Sequence, residues 1–214
     1  MVPPGLIIAL SGGRLKMGRR IGIVLALLMS AMGSAQSSPH LFRDAEAPPL
    51  PGWVAFCSRQ PEECAVDLSE PETLPWTENL AALLSSVNLS VNRALIPVTD
   101  QNHWDIVDLW SYPTDGMGDC EDYQLLKRRM LIEAGLPRRA LRMTVVIDEN
   151  GEGHAVLTVR TDRGDLILDN KSDEVLEWFR TNYRYIKRES AEATGWVYLT
   201  LDPAGTSLTS SNDK

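Results

Sequence analysis

Three residues far apart in the chain have the types needed for acyl transfer: Cys120, His154 and Asp169. Cys120 stands in Gly118-Asp119-Cys120-Glu121-Asp122-Tyr123, between acids and two residues after a glycine. His154 lies near the start of Gly153-His154-Ala155-Val156-Leu157, and Asp169 ends Asp165-Leu166-Ile167-Leu168-Asp169. A thiol attacks a carbonyl as its thiolate. An imidazole takes the thiol proton and later protonates the leaving group, while a carboxylate fixes the imidazole's tautomer and stabilises its charged form. On position alone Cys120 suits a second role equally well, that of a small buried packing residue.

These residues need a helix and a sheet to bring them together. Apolar residues recur at Tyr123, Leu126, Met130, Leu131 and Ala134, and the pattern stops at Gly135 with Pro137 beyond. Spacings of three and four predict a helix with Cys120 in its first turn. Unpaired backbone N–H groups and the positive end of the helix dipole favour a thiolate there. Leu141 to Asp148, His154 to Arg160 and Asp165 to Leu168 read as three strands, separated by Glu149-Asn150-Gly151-Glu152-Gly153 and Thr161-Asp162-Arg163-Gly164. His154, Val156 and Thr158 share one face of the middle strand, and Ala155, Leu157 and Val159 the other. Both faces are largely apolar, which predicts a central strand covered on each side.

Upstream, Thr77 can cap a helix whose stripe is Leu80, Leu83, Leu84 and Val87 and which serves the core. Residues 95–118 show no period and carry Trp104, Trp110 and Tyr112, as a loop lining a substrate groove would. Leu176, Trp178 and Phe179 predict a short helix, and Tyr183–Lys187 and Trp196–Leu201 two more strands. His103 lacks the strand setting of His154 and reads as structural or solvent-facing. The reading is an α+β domain, with a nucleophile-bearing helix packed on an antiparallel sheet.

The chain has 214 residues, enough for one domain with a sizeable core. Its net charge is −8, with no basic block beyond the N-terminus, which argues against nucleic acid as a partner. Residues 1–35 carry Arg14, Lys16, Arg19 and Arg20 and no acid, leaving 17 basic and 29 acidic residues in the rest. Arg19-Arg20, then Ile21 to Met29, then small residues ending Gly33-Ser34-Ala35 follow the order of a secretory signal peptide, with an uncleaved N-terminal anchor as the alternative. Met17 offers an alternative start. Export implies a periplasmic or secreted protein in an oxidising compartment. Cys57 and Cys64 are close enough to close a small disulfide loop, which leaves Cys120 as the odd, free thiol. Neither cysteine has zinc-ligand spacing to His40, His103 or His154. Residues 36–52, rich in Ser and Pro, read as a linker, and 203–214 as a disordered tail.

GDCEDYQLLKRRMLIEAGLP, GHAVLTV and GDLILDN, taken in order, resemble the bacterial transglutaminase-like cysteine proteinases, a family that includes the LapG-type periplasmic proteases. Phe56-Cys57-Ser58-Arg59-Gln60-Pro61-Glu62-Glu63-Cys64 and Val91-Asn92-Arg93 to Trp104 look like the same family. The resemblance implies a papain-like, transglutaminase-like core over 53–202. In it Cys120 is nucleophile, His154 base and Asp169 third member. It also implies hydrolysis of a protein substrate in the cell envelope, with amine transfer or a non-catalytic binding module as alternatives. An inner-membrane regulatory receptor belongs to the LapG-type branch. The oxyanion donors expected are the Cys120 backbone N–H and a group from residues 102–112, such as Asn102 or Trp104.

Asp119, Glu121 and Asp122 surround the thiol, and left unpaired they would repel one another and raise its pKa. One reading is an acidic first helical turn with ordinary capping. The other is a bound calcium ion, which takes carboxylate and carbonyl oxygens. The acids flanking the cysteine in the LapG-type branch bind calcium, and Asp119, Glu121 and Asp122 match those positions.

Overall fold

In the computed structural model, which describes residues 40–200, the chain begins with an edge strand, β1 (Phe42–Ala47). This corrects the linker expected over 36–52. Leu41 is buried, and its N–H donates to Asp165 Oδ2 at 3.1 Å. An edge strand needs only backbone partners on one side, and five of the six β1 residues are exposed, so no apolar alternation announces it. The expected leader, residues 36–39 of the linker and the tail 203–214 lie outside the described residues.

Helices α1 (Pro51–Arg59) and α2 (Pro61–Cys64) follow, each with proline at its start, where a missing N–H costs nothing. Cys57 and Cys64 form a disulfide between them, with Cα atoms 5.7 Å apart. Helix α3 (Glu78–Ala94) starts as its sequence predicts, with Thr77 Oγ1 accepting the Leu80 N–H at 3.1 Å. Leu80, Leu84, Val87 and Val91 form its buried stripe.

The stretch without period contains β2 (Ile96–Pro97), helix α4 (Asp100–Trp104) and β3 (Met117–Gly118). Strands β2 and β3 pair in parallel, so both ends of this loop are anchored beside Gly118. Helix α5 (Cys120–Glu133) begins two residues later and stops at Gly135, whose φ of +93° suits glycine alone.

Strands β4 (Leu141–Ile147), β5 (Gly153–Thr161), β6 (Gly164–Leu168), β7 (Leu176–Glu177), β8 (Arg184–Glu189) and β9 (Trp196–Thr200) complete the chain. The helix expected near Trp178 is a single 3-10 turn, Trp178–Arg180. Among the described residues, seven strands form one antiparallel sheet in the order β1-β9-β8-β4-β5-β6-β7.

Alternation on β5 sends its residues into two cores. Leu157 and Val159 join Leu141, Met143, Leu166 and Leu168 against Leu125 and Leu131 of α5. Val156 joins Val146 and Ile167 on the other face, under Trp178, Tyr183 and Tyr185. Leu125 and Leu157 are fully buried, and truncating either to alanine would cost roughly 2–5 kcal/mol. That packing holds the start of α5 against the start of β5.

Candidate active site

Cys120 is the first residue of α5, His154 the second of β5, and Asp169 the first after β6. Cys120 and His154 line one cavity of about 160 Å³, together with Leu50, Asp108, Trp110 and Glu121. His154 Nε2 lies 2.8 Å from Asp169 Oδ1, and both side chains are almost fully buried. That contact leaves Nδ1 as the ring nitrogen available for exchange with a substrate or thiol.

Asp169 is held from every side. Its Oδ1 also accepts the Lys171 N–H at 3.0 Å, and its Oδ2 accepts the Tyr183 hydroxyl at 2.5 Å. Its own N–H donates to Asn88 Oδ1 at 3.1 Å, and its carbonyl accepts from Asn92 Nδ2 at 2.9 Å. Helix α3 therefore does more than fill the core, since two of its asparagines clamp the loop that carries the acid. Burial pushes the Asp169 carboxyl up, but its partners outweigh that, His154 first, and hold it below the usual carboxylate range.

The thiol behaves differently from the expectation based on the helix dipole. Burial and then the Glu121 charge push the Cys120 thiol well above its ordinary value, offset in part by a hydrogen bond from the Ala155 backbone N–H. Cys120 Sγ lies 3.2 Å from Glu121 Oε2 and donates to it. The dipole favours a thiolate, but a buried carboxylate in contact with the sulfur is closer and stronger.

The acids next to Cys120 are not ordinary helix caps. Asp119 occupies the N-cap position yet makes no side-chain capping bond. Glu121 and Asp122 are buried. Burial, with Asp119 adding to it, pushes Glu121 up to about 9, and burial raises Asp122 to about 8. Two further acids, outside the expected set, meet them: Asp100 from α4 and Asp108 from the following loop. Carboxylate oxygens of Asp100, Asp119 and Asp122 lie within 4.8 Å of one another, as do those of Asp100, Asp108 and Glu121.

These residues fit a hard cation. The Oδ1 atoms of Asp100 and Asp119 are buried without a hydrogen-bond partner, which is costly for a carboxylate unless a proton or a cation meets it. The surrounding N–H groups hold the other oxygens: Asp100 N–H donates to Asp119 Oδ2 at 3.2 Å, Ser111 N–H to Asp122 Oδ1 at 2.8 Å, and Gly52 N–H to Asp108 Oδ2 at 3.0 Å. Leu109 N–H donates to Asp100 Oδ2. Gly118 permits the cluster, because a Cβ there would stand 2.7 Å from Asp122 Oδ2.

Asp100 and Asp108 left one signal in the sequence: residues 95–118 contain four aspartates and no lysine or arginine. Tyr183 left none. The loop residues that reach the cavity are Asp108 and Trp110, where Asn102 and Trp104 were expected; Trp104 is half exposed and stacks on His103 at 3.9 Å. His103 pairs with Asp115 at 2.9 Å, a structural role.

A helix that opens on a cysteine, packed on an antiparallel sheet that carries a histidine and an acid, defines the transglutaminase-like class of fold. The chain belongs to the bacterial transglutaminase-like cysteine proteinase family, which matches residues 43–203. Among solved structures it is similar to calcium-bound LapG of Legionella pneumophila, at 27% identity over 56% of this chain and 69% of that chain, with a TM-score of 0.49. EGTA-treated LapG of the same organism is 28% identical over 57% of this chain and 68% of that chain, with a TM-score of 0.48. No curated protein matches the chain. Among the described residues, no helix is long and apolar enough to cross a membrane.

Proposed function

We propose that the chain is an exported cysteine peptidase with Cys120 as nucleophile, His154 as base and acid, and Asp169 as the carboxylate that orients the imidazole. The observation that carries this reading is the 2.8 Å contact of His154 Nε2 with Asp169 Oδ1 beside a cavity that Cys120 also lines. Membership of a cysteine proteinase family supports it.

In this reading the Cys120 proton passes to His154, and Sγ bonds to the scissile carbonyl carbon. The tetrahedral intermediate collapses, the C–N bond breaks, and His154 returns its proton to the leaving amine. Water then gives a proton to His154 and its oxygen to the thioester carbon, the C–S bond breaks to release the acid, and His154 returns the proton to Sγ. The Cys120 backbone N–H, at a helix start, is free to face the developing oxyanion.

The same proposal includes calcium, held by Asp119, Glu121 and Asp122 with Asp100 and Asp108. A bound cation would cancel the repulsion among these carboxylates and draw Glu121 away from the thiol. A protein of the cell envelope is the substrate class, and an inner-membrane receptor the regulatory partner. The experiment is N-terminal profiling of envelope proteins with active enzyme and with Cys120→Ala, each with a labelled primary amine present. New N-termini made by the active enzyme alone support hydrolysis. Label incorporation without new termini replaces it with amine transfer, and no difference between the two proteins removes the reading.

A further inference from the structure

Asp169 has two carboxylate oxygens, and only one of them meets the imidazole. The torsion that turns a carboxylate about its last bond is broad, so a side chain held at one oxygen alone swings easily. Here the second oxygen is fixed by Tyr183, whose hydroxyl donates to Oδ2 at 2.5 Å. The tyrosine ring also meets the His154 ring edge-on, with centroids 5.7 Å apart and planes at 71°. One side chain thus touches both members of the pair. It sits just before β8, on a different segment from either of them, and its ring packs against the second core of Val146, Val156 and Ile167.

Resting on the peptidase reading above, we propose that Tyr183 is a positioning residue for that pair. Its hydroxyl locks the Asp169 carboxylate so that Oδ1 faces His154, and its ring fixes the plane of the imidazole. A tyrosine that only satisfied a buried acid would be needed for stability and not for the state of the imidazole.

The test uses the full chain in calcium-containing buffer and four proteins: wild type, Tyr183→Phe, Asp169→Asn and the double variant. Iodoacetamide is the probe, with Cys120 alkylation followed by mass spectrometry. The downfield proton resonance of the His154 Nε2–H reports the pair itself. Tyr183→Phe should slow alkylation about tenfold, ~1.4 kcal/mol, and shift or broaden the resonance. The double variant should be no slower than Asp169→Asn alone, because the tyrosine acts through the acid. Wild-type rate and an unmoved resonance in Tyr183→Phe would overturn the proposal, even if the variant melts at a lower temperature. So would losses that multiply in the double variant. The peptidase reading fails separately, if wild-type Cys120 is alkylated no faster than free cysteine. A resonance that still moves in Tyr183→Phe would then leave the positioning role standing without the enzyme.

Discussion

Asp100 donates its backbone N–H to Asp119 Oδ2 at 3.2 Å, while the Oδ1 atom of each carboxylate is buried without a partner. Two acids do not approach in this way for their own benefit. Burial first, and then the charges of Asp119 and Asp108, push the Asp100 carboxyl above its ordinary range, despite the N–H of Leu109. The relationship makes sense if a cation completes it.

Calcium should therefore raise the melting temperature of the wild-type chain, by an amount that grows with concentration. At a hundredfold excess over Kd the stabilisation would be about 2.7 kcal/mol. Magnesium should do much less, because it keeps its waters and demands an octahedron. Asp100→Asn should melt no lower than wild type in chelator, since it removes a buried repulsion, yet gain little from calcium. Differential scanning calorimetry with chelator, calcium and magnesium gives all of these curves. Coincident wild-type curves in chelator and calcium would leave the acids without a ligand.

The roles assigned to the triad predict an ordered loss. Cys120→Ala removes the attacking sulfur and His154→Ala the proton carrier, so each should abolish turnover. Asp169→Asn should leave a measurable remainder, because its one amide oxygen can still accept from either Lys171 N–H or Tyr183, which hold opposite oxygens of the acid, but it offers no charge to the imidazole. Circular dichroism checks that all three variants fold. Turnover by Cys120→Ala at the wild-type rate would exclude this thiol as the nucleophile.

The elements legible in the sequence are those with a local period. Helix α5 and strands β4 to β6 carry 3.6- and 2-residue patterns, and their order alone predicts a helix packed on an antiparallel sheet. Thr77 at the start of α3 was legible for the same reason, since a cap is a local feature. What escaped was non-local or came from the backbone. Strand β1 exposes most of its side chains and is defined by pairing with β9. Asp100 and Asp108 join the acids of α5 only because the β2–β3 pair folds the loop back on itself. Asn88 and Asn92 act through a backbone segment some 80 residues away, at Asp169. The raised thiol is half legible, since the acids beside Cys120 oppose the helix dipole in the sequence itself, whereas the burial that decides between the two effects is not a local feature.

Cys57 and Cys64 should be oxidised in the protein isolated without reductant and Cys120 free. Thiol titration of unreduced, denatured protein should count one thiol of three. Because the loop closed by the bridge is short, reduction should cost only about 2.5 kcal/mol by the chain-entropy account. The loss should appear as a lower denaturant midpoint for the Cys57→Ser/Cys64→Ser double variant. Three titratable thiols in protein isolated without reductant would refute the pairing.

Asp165 should set the acid limit of stability. Its side chain is fully buried, where it meets His40 Nδ1 at 2.9 Å, Arg188 at 2.9 Å, Arg160 at 3.4 Å and the Leu41 N–H at 3.1 Å. Burial alone would raise the carboxyl, but the His40 bond and the two arginine charges outweigh it and hold it below the usual range. A folded value below the unfolded one, about 3.9, means that the ion stabilises the fold above that pH. The contribution is lost as pH falls through the folded value, when the native state too must take up a proton. Asp165→Asn leaves Arg188 buried without its counter-charge and should cost roughly 3 kcal/mol at neutral pH. The gap in melting temperature between wild type and variant should shrink as the pH falls below about 4. Arg160 also meets Glu72, but that contact is common to both proteins and cancels in the difference. Melting curves of the two proteins across that range are the measurement, and a gap that is absent, or that persists undiminished to the lowest pH at which both fold, would show that Asp165 does not carry this charge.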